Sequence, residues 1–349
     1  MGNWNSIQQE IDSLNRPESS DIVRRQKIDA VQKLTGRHLV IYAVDFTNPI
    51  KAQLANNLML ISLPDKDGFD EVTRGLPQGS GLDILLHSPG GSAEATESIV
   101  EILRARFSNI RFIVPNVAKS AATMMAMSGE QLLLDECSEL GPTDPQMILV
   151  RDGQPLAVPA QAIKDQFKTA QDEVNNDPSK LPAWVPILRE YGPSLLAQCD
   201  NHLALARELV SKWLRSYMFA NDENAELKAE RVATYLADHN NFRSHTRRVG
   251  ITDLQALGVN ILDMRTDPAL HAAVRDLYIA VMLTFAKTAA YKIVENSNHD
   301  VLIGAVQVNV QPAPLQQPPE QSRQNPPVTL PRNRQEEKRQ LASNKRRRR

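Results

Sequence analysis

Cysteine is nearly absent: Cys137 and Cys199 are the only two in 349 residues. Two cysteines make no disulfide framework and fit a reducing compartment. Glycine is sparse for a fibrous repeat, at 15 residues, and aromatics are only 5% of the chain. No apolar run follows a basic N-terminal segment, so no signal peptide is expected. The most apolar stretch, Leu277 to Ala286, is half of a membrane span and is followed by Lys287. A cytoplasmic protein without a transmembrane segment is therefore the expectation. Several motifs are missing as well: the P-loop, the GxGxxG fingerprint, HExxH, CxxC and the GxSxG elbow. Nucleotide-binding, zinc-protease and ordinary α/β-hydrolase readings lose their usual support. The seven histidines are scattered, with no ligand-spaced pair on one helix, so neither a metal nor a cofactor is expected.

What is present is enough apolar residue, 42%, to bury a large core. The net charge of −1 is an average over unlike parts. Residues 332–349 hold nine Lys/Arg against two Glu, a local +7, which leaves −8 on residues 1–331. Before that tail, Gln311 to Pro331 has seven Pro and five Gln in 21 residues, a composition that cannot pack a core. Four parts follow: a helical arm (1–38), an α/β core (39–160), a helical C-terminal region (161–305), and a disordered Pro/Gln linker with its basic tail (306–349). The tail has the charge for an acidic partner, nucleic acid or an anionic membrane, or simply stays solvated. It lacks the interleaved aromatics that stack bases.

In the core, Leu39–Phe46, Leu82–His87, Arg111–Pro115 and Gln131–Leu134 read as buried strands. Asp67–Leu76, Ala93–Phe107 and Ala121–Met127 read as helices, the second capped by Ser92. Strands alternating with helices over short links predict a parallel sheet in an α/β fold. Farther on, Tyr191–Phe219, Ala225–Asp238, Thr252–Leu257 and Ala269–Val294 follow helical periods.

Two strand-to-helix junctions carry the chemistry. At Ser88-Pro89-Gly90-Gly91-Ser92, paired glycines either make a tight turn or aim backbone N–H groups at a ligand. At Ala118-Lys119-Ser120-Ala121-Ala122, a serine opens an apolar helix, as a structural cap or as a nucleophile beside the Ala121 N–H. Gly91 and Ser120 are 29 residues apart, one helix and one strand. In a parallel sheet that unit returns both junctions to the same edge. One loop then offers oxyanion donors and the next a hydroxyl. Met124, Met125 and Met127 either line a pocket there or fill the core.

The segments LHSPGGSAEATESI, VAKSAATMMAMSGEQLLLDE and ELGPTDPQ resemble the Clp-protease/crotonase superfamily. Within it the chain is most similar to the serine dehydrogenase proteinase family, which is related to signal peptide peptidase A. Tyr191-Gly192-Pro193 and Ser244-His245-Thr246-Arg247-Arg248 fit that family's C-terminal half, so the resemblance covers roughly residues 35–260. It implies a Clp/crotonase-type fold, a homo-oligomer and serine-type hydrolysis of a protein or peptide substrate. By position it makes Ser120 the nucleophile and Gly91 and Ala121 the oxyanion donors, with Gly90 beside them. The base does not carry over: where Clp subunits have a histidine, this chain has Thr143-Asp144. Three candidates stand for base or orienting group, namely His87, His245 and Asp144, while Lys119 reads as a loop lysine. The missing histidine leaves open a non-catalytic peptide-binding scaffold, and fold kinship leaves open an acyl-CoA enzyme.

Overall fold

The computed structural model describes residues 2–306 apart from Asp152. The Pro/Gln-rich stretch and the basic tail lie outside the described residues. The chain opens with α1 (Trp4–Leu14) and α2 (Ser19–Thr35) and enters the sheet at β1 (His38–Val44). Next come α3 (Pro49–Ala55), α4 (Leu63–Arg74), β2 (Gly81–His87), α5 (Ala93–Arg106) and β3 (Asn109–Ile113). The short β4 (Val117–Ala118) leads to α6 (Ala121–Ala126), β5 (Gln131–Leu134) and β6 (Glu139–Leu140). A hairpin, β7 (Gln146–Arg151) and β8 (Gln154–Pro159), precedes α7 (Ala160–Asn176), α8 (Leu181–Arg189), α9 (Leu195–Trp213) and α10 (Ala225–Ala237). The remainder is α11 (His239–Phe242), α12 (Ile251–Ala256), β9 (Ile261–Asp263), α13 (Pro268–Lys287), β10 (Ala290–Asn296) and β11 (Val301–Ala305).

The main sheet has seven strands in the order β11-β10-β1-β2-β3-β5-β9. Its five strands from β1 to β9 are mutually parallel, and β10 and β11 add antiparallel. Side-chain alternation assigns the two faces. Val40, Tyr42 and Val44 of β1, Leu82, Ile84 and Leu86 of β2, and Leu132 and Leu134 of β5 join one core, with α4, α5, α6, α9 and α10. Leu39, Ile41, Ala43, Leu85 and Leu133 join the other, under α2 and α13. Both faces are covered, which is why the strands read as continuous apolar runs.

Helix α13 is long and apolar enough to cross a membrane by length and composition. Its Val274, Leu277, Val281 and Phe285 are instead packed into the second core. Each such burial contributes about 1.5–3 kcal/mol.

Two features depart from the pattern reading. Residues 261–305 supply three strands of the main sheet where helix was expected throughout. Helix α13 ends where Thr288 donates its hydroxyl to the Thr284 carbonyl and accepts from the Ala290 N–H. The apolar Ile293-Val294 that follow continue a helical period by coincidence, and short apolar runs do not distinguish helix from strand. The hairpin β7–β8 was also not expected.

A buried ion pair ties the N-terminal arm to the sheet. Arg24 Nε of α2 lies 2.6 Å from Glu295 Oε2 of β10, both side chains fully buried, and Arg25 Nε lies 2.9 Å from Oε1. Removing one partner strands a buried charge. Glu295→Gln should therefore cost about 3–5 kcal/mol in urea unfolding, and adding Arg24→Met should recover most of it. A double variant no more stable than Glu295→Gln would refute the charge as the cause.

Candidate functional site

Strand β2 does not stop at His87. Ser88 forms a parallel bridge with Ala118: its N–H donates to the Val117 carbonyl (2.9 Å) and its carbonyl accepts from the Lys119 N–H (3.1 Å). On its other side the loop is braced by Ile61, whose N–H donates to the Gly90 carbonyl (2.8 Å) and whose carbonyl accepts from Ser92 (2.9 Å). Gly91 is the middle residue of that bridge, so its own N–H points away from Ile61. The short apolar run around Ile61 thus has a purpose that its sequence did not disclose.

Both glycines are sterically required. A Cβ at Gly90, at φ 98°, would lie 2.5 Å from the Lys119 carbonyl and 2.8 Å from Ser120 Cβ. One at Gly91 would lie 2.3 Å from the Ile61 carbonyl. The PGG segment is therefore a close-approach loop.

Ser120 sits at a positive φ that non-glycine residues rarely adopt, φ 50° and ψ −121°, at the head of α6. Such strain in a non-glycine residue costs on the order of 1–3 kcal/mol and persists only when neighbours enforce it. Here Ala122 N–H donates to the Lys119 carbonyl, Met124 N–H to the Ser120 carbonyl, and Thr123 Oγ1 to the Ala118 carbonyl. The Ser120 side chain makes no capping bond, so the structural-cap alternative is not realised. Among the described residues, the Gly91 and Ala121 N–H groups have no backbone acceptor.

A cleft of about 440 Å³ contains Gly91, Ser120 and Ala121 together with His245 and Thr143. Residues far apart in sequence close it. Asp144, 1% exposed, accepts from His245 Nδ1 at 2.7 Å and from His239 Nδ1 at 2.9 Å. The His245 loop is pinned by paired backbone bonds between Val249 and Leu140. Arg248 donates to the Glu136 carbonyl and Arg247 to the Phe242 carbonyl, which spends these arginines on the loop itself. Among the described residues, no hydrogen bond joins Ser120 Oγ to His245. Leu60, Met124, Ile148 and Leu205 give the cleft an apolar lining. Of the three methionines, Met124 faces the cleft while Met125 and Met127 are fully buried core. Glu94 and His202 stand at the same cleft, and the Ser92 hydroxyl holds the Glu94 carboxyl below its ordinary pKa.

His87 lies elsewhere. It shares the β2 face of Asp83 and Leu85, away from α6. Its ring packs against Phe46 and Tyr278, and its Nδ1 accepts from the Val117 N–H at 3.4 Å. Burial pushes its pKa from 6.5 down to about 4. Lys119 also points away, onto Glu139 Oε2 (3.0 Å) and the Leu140 carbonyl. Outside the cleft, Asp135, Glu136 and His271 have ligand atoms within 4.8 Å of one another. Asp135 already accepts from His271, Cys137 and Ser138, so that cluster is occupied by its own bonds.

Reasoning from sequence missed His239 and His202. Each is a lone histidine on a helix otherwise solvated or core-packed, and no local pattern marks it.

The fold defines a class, a mixed α/β protein built on a largely parallel central sheet with a helical C-terminal part. Residues 57–177, about a third of the chain, match the family model of ClpP-like SDH-type serine proteinases, the family that its motifs resemble. Two uncharacterised proteins of Methanocaldococcus jannaschii are similar. MJ0137 is 33% identical over 87 residues, 25% of this chain and 30% of its own length. MJ1495 is 22% identical over 201 residues, 58% of this chain and 59% of its own length. The chain thus spans less than two thirds of either relative. Among solved structures, two variants of the 1510-N membrane-bound stomatin-specific protease are similar. One shows 15% identity and a TM-score of 0.34, covering 58% of this chain and 74% of the other. The second, in complex with a substrate peptide, shows 16% identity and a TM-score of 0.35, covering 58% and 70%.

Two outcomes follow from this geometry. Gly91→Ala should destabilise by about 1–3 kcal/mol through the clash with Ile61, read as a lowered urea midpoint. An unchanged midpoint would contradict the close approach. His87 is neutral when buried and its folded pKa is depressed, so the unfolded chain binds more protons between pH 6.5 and 4. Stability is complete above about pH 6.5 and falls as pH drops towards 4, by about 3 kcal/mol from this group. His87→Gln should flatten that part of the stability–pH curve; an unaltered slope would exclude His87 as its source.

Proposed function

We propose that the protein is a serine peptidase whose cleft holds an extended peptide against Ser120. The observation that carries the reading is the uncapped hydroxyl of Ser120, presented by a strained backbone beside two free N–H groups. Ser120 Oγ attacks the peptide carbonyl, and its proton passes to His245 Nε2. Asp144 holds that ring through Nδ1 at 2.7 Å. The Gly91 and Ala121 N–H groups stabilise the tetrahedral oxyanion, with Gly90 allowing the loop to lie close. The proton on His245 then goes to the leaving amine, and water resolves the acyl-enzyme by the reverse path.

Support for the nucleophile comes from two directions, because Gly91, Ser120 and Asp144 fall inside the family match. His245 falls outside it and rests on geometry. The apolar lining by Leu60, Met124, Ile148 and Leu205 favours apolar substrate side chains next to the cleaved bond. A second reading, a peptide-binding scaffold without turnover, is favoured by the missing hydrogen bond between Ser120 and His245. Nothing in the cleft favours an acyl-CoA enzyme.

A fluorophosphonate probe should label the wild type and not Ser120→Ala. Peptide turnover should fall by roughly 10²–10⁴-fold in His245→Ala, and His87→Gln should leave it unchanged at pH 8. Equal labelling of Ser120→Ala and wild type would sink the nucleophile. Labelling without turnover on any apolar peptide would favour the scaffold.

A further inference from the structure

We infer that His239 is a positioning residue of the site: it shares Asp144 with His245 and fixes the carboxylate on which the base depends. This rests on the peptidase reading for its catalytic consequence, but the shared hydrogen bonding stands on geometry alone.

The two carboxylate oxygens of Asp144 are divided. Oδ1 takes His245 Nδ1 at 2.7 Å; Oδ2 takes His239 Nδ1 at 2.9 Å and Gln146 Nε2 at 3.0 Å. A carboxylate only accepts, so each ring carries its proton on Nδ1 and leaves Nε2 as the basic nitrogen. For His245, which lines the cleft, that is the tautomer a general base requires.

Donors on Oδ2 are what make Oδ1 a fixed point. The side-chain dihedral that turns a carboxylate is soft and roughly two-fold. With His245 as sole partner, the group can swing and carry the ring with it. With His239 and Gln146 on the second oxygen, rotation breaks two further bonds to a carboxylate that is only 1% exposed.

His239 is itself held firmly. It sits on α11, four residues long, opened by Asp238, whose carboxylate accepts from the Asn240 N–H at 2.9 Å. Arg243 closes the turn in a left-handed conformation, φ 61°, and donates its N–H to the His239 carbonyl at 2.7 Å. The Asp144 backbone is pinned on either side, by Thr143 N–H to the Leu236 carbonyl and by Ala160 N–H to the Pro145 carbonyl. Phe242, the last residue of α11, packs into the first core and edge-on against Tyr235, which anchors the turn that carries His239 to the carboxylate.

Two substitutions separate a positioning role from a merely structural one. In asparagine the amide nitrogen is bonded to Cγ, as Nδ1 is in histidine, so His239→Asn can donate to the same oxygen. His239→Leu keeps the bulk and cannot. On an apolar peptide, His239→Leu should lower kcat by roughly 10–100-fold with KM little changed, and His239→Asn should restore most of it. Wild-type kcat in His239→Leu would overturn the proposal, as would equal losses in the two variants. A second readout needs no turnover. In proton NMR of ¹⁵N-histidine protein, the wild type should show two low-field Nδ1–H resonances that both vanish in Asp144→Leu, which has no acceptor, and His239→Asn should keep one. A single such resonance in the wild type overturns the sharing. Two resonances in a protein without turnover would uphold it while the peptidase reading fails.

Discussion

The backbone of Gly90 lies so close to the Lys119 carbonyl and Ser120 Cβ that no side chain fits between them. The contact exists because β2 runs on past His87 and pairs Ser88 with Ala118, which carries the glycine loop across the head of α6. Ile61 presses the loop from the other side. The bridge that grips Gly91 uses the atoms of Gly90, Ile61 and Ser92 and leaves the Gly91 N–H over. The turn that opens α6 likewise leaves the Ala121 N–H over. Two donors without a backbone acceptor among the described residues, and an uncapped hydroxyl at the same place, are thus a by-product of strand pairing, and electrostatic stabilisation of an oxyanion is the chemistry they allow.

The strain at Ser120 has to be held by the rest of the molecule, and the hold extends to the last strands of the sheet. Lys292 of β10 donates to the Leu60 carbonyl and ion-pairs with Asp65, which also accepts from Ser62 and the Tyr42 hydroxyl. That buried group fixes the segment that braces Gly91. Burial lowers the Lys292 pKa, and the neighbouring Asp65 opposes the shift. The C-terminal strands therefore belong to the machinery of a loop some 200 residues earlier, through Lys292 and Leu60, which are 232 apart in sequence. The N-terminal arm contributes in turn, since Arg24 anchors β10 through Glu295.

On the far wall of the cleft a single carboxylate does for the histidines what the glycine loop does for the serine. Asp144 reaches residues 95 and 101 positions away, and they belong to a part of the chain outside the family match. Ser120 and Asp144 thus come from the stretch that the family model matches, and His239 and His245 from the helical region that follows it.

Much of the fold was legible. The strands at 82–87 and 131–134 and the helix capped by Ser92 formed where the residues put them, because apolar period and cap chemistry are local. That the Gly90-Gly91 and Ser120-Ala121 loops meet was legible too, since a right-handed β–α–β unit returns both to one edge. The hairpin at 146–159 and the strands after 260 were not, because short apolar segments take their form from the partner they pair with. Nor could sequence rank the bases. His87 ends the strand that feeds the site, yet strand parity turns it onto Phe46 and Tyr278. His245 has no local mark and meets Asp144 only because Val249 pairs with Leu140. The backbone geometry of the glycine loop is written in neighbouring residues. The pairing of His245 with Asp144 is not, since a hydrogen bond spans about 3 Å in space whatever the distance along the chain.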